Sequence, residues 1–156
     1  MTTARLVAEL VRRQQTLAVA ESLTGGLLAA TLVEVPGVSK VFRGGLVVYA
    51  TDLKAKLAGV DAELLAQRGP VDPDVARELA SGAARECGAD WGLSTTGVAG
   101  PDSQDGVTVG TVFIGLVGPA SLERVLGLRL DGDRAAIRAQ AVTAALGLLA
   151  EALDKG

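Results

Sequence analysis

A serine, a tyrosine and a lysine fall within one short stretch, Gly37 to Lys54 (GVSKVFRGGLVVYATDLK), and together they could cleave an acyl bond. The chain has no histidine, which excludes a Ser-His-Asp triad and a histidine-ligated metal site. A lysine that burial keeps neutral can take the place of histidine as the base for a serine nucleophile. In this stretch the candidates are Ser39, Tyr49 and Lys54. A serine and a lysine flanking a strand are also ordinary surface groups, so spacing alone leaves both roles open.

Three further segments carry reactive or ligand-binding residue types. Ser22, Thr24, Gly25 and Gly26, in Glu21-Ser22-Leu23-Thr24-Gly25-Gly26, supply hydroxyls and open backbone N–H groups where a buried strand gives way to a helix. Phosphate or carboxylate binds well at such a place, and a plain helix cap uses the same residues. The segment lacks the lysine of a phosphate-binding P-loop. Thr95 to Asp102 (TTGVAGPD) follows another buried strand and is shaped for close backbone approach to a ligand, which makes Thr96 and Gly97 binding candidates. Arg134 opens the last helix after Asp131-Gly132-Asp133, where a cation opposes the helix macrodipole. A guanidinium in that position is explained by an anion that it grips in bidentate fashion.

Bulk composition narrows the function classes. The 156 residues are 49% hydrophobic, with 20 glycines and 3% aromatics, so one core of Ala, Val and Leu in a single domain, residues 1–156, is expected. A net charge of −3 argues against direct nucleic-acid binding. One cysteine, Cys87, excludes an intrachain disulfide and fits a reducing compartment. The N-terminus has no long apolar run, so neither a signal peptide nor a membrane span is expected, and the cytoplasm is the expected location.

The elements that must position these groups follow from periodicity. Helices are expected over residues 3–15, from the Ser22–Gly26 loop to about Val35, over 52–57, 61–68 and 73–86, and over 134–153. Strands are expected at 16–20, 46–50 and 91–96, followed by an antiparallel hairpin of 107–117 and 122–130. The sum is a three-layer α/β/α domain with a mixed, mostly parallel sheet of about five strands and its site at the strand ends. A difficulty is built into this layout. Ser39 precedes the second strand and Lys54 follows it, and strand residues advance roughly 3.3 Å each. The chain must double back at Gly44-Gly45, or the pair must be completed across a subunit interface in a homo-oligomer, or Ser22 at the end of a neighbouring strand is the nucleophile instead.

In this order and at these separations, ESLTGG, GVSKVFRGGLVVYATDLK, TTGVAGPD and GDR resemble the CinA C-terminal domain family, the nicotinamide-nucleotide amidases. The resemblance implies hydrolysis of nicotinamide mononucleotide to nicotinate mononucleotide and ammonia, with no metal or other cofactor, in pyridine-nucleotide salvage. By position, Ser39 matches the nucleophile, Lys54 the base and Tyr49 the tyrosine ending the second strand. Ser22, Thr24, Gly25 and Gly26 match the first binding loop, Thr96 and Gly97 the second, and Arg134 the arginine after Gly-x. Backbone N–H groups near Thr96 or Gly25 would steady the oxyanion. Two departures bear on substrate: Thr51 stands where the family usually has Asn, and Val107-Thr108 replaces the more usual Lys-Pro. The resemblance is to a stand-alone form without the nucleotide-processing domain often fused N-terminally. Two other classes fit the same residues: a non-catalytic nucleotide or phosphate-binding module, and an accessory domain in competence or DNA repair.

Overall fold

A computed structural model describes residues 1–156. In chain order the elements are α1 (Thr3–Arg13), β1 (Leu17–Glu21), α2 (Leu27–Val33), a 3-10 turn (Val38–Lys40), β2 (Phe42–Val47), α3 (Thr51–Ala58), α4 (Ala62–Arg68), α5 (Pro73–Cys87), β3 (Trp91–Gly97), β4 (Thr111–Gly118), β5 (Leu122–Arg129) and α6 (Arg134–Lys155). The five strands form one sheet in the order β2-β1-β3-β4-β5. β1 runs parallel to both β2 and β3, β4 is antiparallel to β3, and β5 is antiparallel to β4, so only β4 opposes the common direction.

Strand β1 is buried along its whole length, and its side chains alternate between two cores. Leu17 and Val19 join the larger core with Leu6, Leu10, Leu28, Leu32, Ile137 and Leu149, which lie on α1, α2 and α6. Ala18 and Ala20 face the smaller core, built by Ala58, Leu65, Val75, Leu79 and Ala83 from α3, α4 and α5. The result is the three-layer α/β/α arrangement, with helices sealing both faces of the sheet. α6 is long and apolar enough by composition to cross a membrane, and half of that window is buried within the fold.

Helix starts follow local chemistry. Asp72 accepts from the N–H groups of Asp74 and Val75 and is followed by Pro73 at the first position of α5. Asp133 accepts from Ala136 N and starts α6 in the same way. α5 packs against the sheet through bare backbone: a Cβ on Gly92 would lie 2.0 Å from Ala80 O, and one on Gly115 would lie 2.1 Å from Ala76 O. Gly92→Ala or Gly115→Ala should therefore lower the stability measured by urea unfolding by about 3 kcal/mol, because backbone cannot step aside as a side chain can.

The second strand departs from expectation. It occupies Phe42–Val47, not 46–50, so Gly44 and Gly45 lie inside it. Ala18 pairs with Gly44 and Val19 with Gly45, after a register shift between Leu17 and Ala18. Gly45 is needed because a Cβ there would meet Val19 Cγ2 at 2.6 Å. Ending the strand at Val47 leaves Val48 to Ala50 as a turn that carries α3 back over the strand end. The hairpin also starts later, at Thr111, because Val107 pairs with Gln104 in an isolated bridge and Gly110 N donates to Val98 O.

Candidate active site

The parallel register brings the chain segments that follow β1, β2 and β3 to one edge of the sheet. Glu21, the last residue of β1, pairs with Val47 on one side and Thr95 on the other. The next residue, Ser22, is 7% exposed and is held to β3 by a bond from its N–H to Thr95 O of 3.1 Å. From the other side α3 returns with Lys54, whose Nζ lies 2.9 Å from Ser22 Oγ, 2.7 Å from Val48 O and 3.3 Å from Tyr49 O.

Lys54 is the most unusual residue of the core. It is 1% exposed, and burial lowers its pKa from the ordinary 10.5 to about 8. All three of its neighbours are neutral oxygens, and none is a carboxylate that would hold the charge in place. A neutral amine has two N–H groups and one lone pair. The carbonyls of Val48 and Tyr49 can only accept, so they take the two hydrogens, and the lone pair is left facing the Ser22 hydroxyl. That is the geometry in which an amine removes a proton from a serine.

The pair opens into a cleft lined by Tyr49, Thr96, Gly97, Gly100, Asp102 and Arg134, among others. Arg134 Nη1 donates to Gly100 O at 2.6 Å and Nη2 to the Tyr49 hydroxyl at 3.0 Å, so the start of α6 is tied across the mouth to the end of β2.

Comparison with known proteins agrees with this architecture. The family model described as "CinA C-terminal domain" matches residues 1–153. The chain belongs to the CinA C-terminal domain family. A CinA-like protein of Frankia casuarinae is 53% identical over 141 residues, 90% of this chain and 32% of that protein. A CinA-like protein of Anaeromyxobacter is 46% identical over 149 residues, 95% of this chain and 36% of that protein. The chain thus spans about a third of the length of these curated relatives. Among solved structures, a CinA superfamily protein from Klebsiella pneumoniae is 31% identical with a TM-score of 0.92, and 100% of each chain is covered. A competence/damage-inducible protein from Agrobacterium tumefaciens is 32% identical with a TM-score of 0.92, over 97% of this chain and 93% of that one.

Against the residues that carried the family resemblance, the structure makes two corrections. Ser39 sits exposed in the 3-10 turn before β2, at the opposite edge of the sheet, with the whole of β2 between it and Lys54. Within the chain it does not reach Lys54, and the serine that contacts Lys54 Nζ is Ser22. The second correction concerns Gly25 and Gly26. Glu21, which is 0% exposed, turns its carboxylate onto the start of α2 and accepts from Gly26 N at 3.2 Å, Leu28 N at 2.8 Å and Ala29 N at 3.0 Å. The anion at this helix start is the chain's own.

Of the other expected residues, Tyr49, Thr96, Gly97 and Arg134 line the cleft with Ser22 and Lys54. Thr24 is fully buried and bonds Thr95 Oγ1 at 2.8 Å, beneath the site. The Thr96 hydroxyl is committed to Pro70 O at 2.7 Å. Thr51, the departure from the usual family Asn, is the exposed first residue of α3, one turn before Lys54. Sequence reasoning missed Gln104, which lines the cleft, and Glu21, whose signal was a lone carboxylate at the end of a wholly apolar strand.

Proposed function

We propose that this CinA-family chain is an amidohydrolase that converts nicotinamide mononucleotide to nicotinate mononucleotide and ammonia. The observation that carries this reading is the 2.9 Å contact between Ser22 Oγ and the Nζ of a 1% exposed Lys54. Lys54 Nζ takes the Ser22 proton as Oγ attacks the carboxamide carbon. The resulting ammonium returns that proton to the nitrogen of the tetrahedral intermediate, the C–N bond breaks, ammonia leaves and an ester forms on Ser22. A water molecule, deprotonated by the again-neutral Lys54, attacks the ester, and nicotinate mononucleotide departs as Ser22 regains its proton.

Two peptide N–H groups support the oxyanion role. Leu23 and Ala99 line the cleft, and their N–H groups have no acceptor within the chain; Gly25 N, by contrast, already donates to Ser22 O at 2.9 Å. The enclosed part of the cleft, about 90 Å³, is smaller than a whole-nucleotide site. It suits the carboxamide end, with the phosphate at the rim, where Arg134 still has free donors beyond those facing Gly100 and Tyr49. The single thiol and the nucleotide substrate fit a cytoplasmic setting.

The test compares nicotinamide mononucleotide with free nicotinamide as substrates of the purified protein, with products separated by chromatography. Deamidation of the nucleotide, and little of the free base, is expected. Nucleotide that binds but stays intact would instead describe a binding module. Arg134→Ala should raise KM for the nucleotide by roughly 10-fold to 100-fold, the worth of a charge-assisted contact to phosphate, with a smaller change in kcat.

A further inference from the structure

α6 carries a second arginine, Arg138, one turn beyond Arg134, and it does not line the cleft. Its Nε donates to Leu23 O at 3.0 Å and its Nη2 to Thr24 O at 2.8 Å, so one half-buried guanidinium grips two successive carbonyls of the turn that follows Ser22. A peptide unit is planar, so fixing its carbonyl fixes the direction of its N–H. In the Thr24–Gly25 peptide, Arg138 holds the carbonyl while the N–H, that of Gly25, donates back to Ser22 O at 2.9 Å. The two ends of this rigid plate are therefore Arg138 and the carbonyl of Ser22 itself. On its other side Ser22 is tied to β3 through its N–H. In the Leu23–Thr24 peptide the held carbonyl fixes the direction of the Thr24 N–H in the same way.

We propose that Arg138 is a positioning residue for the Ser22 nucleophile, clamping the turn after Ser22 so that Oγ stays aimed at Lys54 Nζ. This role rests on the amidohydrolase reading for its substrate, but not for its geometry. A lysine in its place has one ammonium and cannot satisfy two parallel acceptors in the same way.

The test is steady-state kinetics of Arg138→Ala and Arg138→Lys with nicotinamide mononucleotide, together with the rate at which a fluorophosphonate labels Ser22 in the folded protein. For Arg138→Ala, kcat should fall by about 100-fold, as for a misplacement of the order of 1 Å, with KM unchanged. Arg138→Lys should lie between that variant and the wild type, and added guanidinium chloride at millimolar concentration should restore part of the Arg138→Ala rate. Labelling should slow in step with kcat. An unchanged kcat, a raised KM at unchanged kcat, or an unchanged labelling rate would each overturn the proposal. If Arg138→Ala does not fold, Arg138→Lys decides by the same labelling rate. If the wild type labels at Ser22 but leaves the nucleotide intact, the substrate assignment fails, and labelling of the variants still decides the role of Arg138.

Discussion

Replacing Ser22 with alanine should lower the rate of ammonia release from nicotinamide mononucleotide by about 10⁴-fold or more, the scale seen when a nucleophile is removed from a preorganised site. The side chain is small and its hydroxyl bonds Lys54, so the variant should keep its fold and its unfolding midpoint close to wild type. Ser39→Ala should retain essentially the full rate, because Ser39 is exposed in the 3-10 turn at the far edge of the sheet. The contrast between the two serines is what makes the pair of variants decisive. A silent Ser22→Ala with a dead Ser39→Ala would reverse the assignment of the nucleophile.

The second large effect is on pH. Lys54 must be neutral to accept the proton, and burial brings its pKa from 10.5 to about 8. At pH 7 roughly one molecule in ten then has the active form, so kcat/KM should rise about tenfold per pH unit up to that value and level off above it. Lys54→Ala should abolish the profile along with the activity. Stability follows the same titration with a definite sign. Between about 8 and 10.5 the unfolded chain holds the Lys54 proton while the folded chain has released it. More protons are bound by the unfolded state, so the contribution of Lys54 to stability improves as pH rises through this window and is unfavourable below it. A flat kcat/KM profile from pH 6 to 9 would remove Lys54 as the base.

Much of the fold was legible in the sequence because it follows from local chemistry. The Asp72-Pro73 start of α5, the Asp133 cap of α6 and the buried runs of β1 and β3 all write themselves in residue type and period. β2 was misplaced because Gly44-Gly45 reads as a break, and only the neighbouring strand explains it, since Gly45 makes room for Val19. The site was half legible. The absence of histidine and the presence of Lys54 point to a lysine base, but the partner serine lies 32 residues away in the chain and reaches Lys54 through the pairing of β1 with β2. The family resemblance favours Ser39, the strand spacing makes Ser22 its rival, and the strand pairing brings Ser22 to Lys54. The start of α2 reads equally as a place for a ligand anion or as a plain helix cap, and no local pattern shows that Glu21 folds back onto its N–H groups.

The most direct measurement is of ammonia and nicotinate mononucleotide together, from nicotinamide mononucleotide incubated with the purified chain near pH 8, where Lys54 is half neutral. Equal amounts of the two products from the wild type and none from Ser22→Ala are expected. Intact nucleotide with the wild type, or equal product from Ser22→Ala, would contradict a Ser22–Lys54 amidohydrolase.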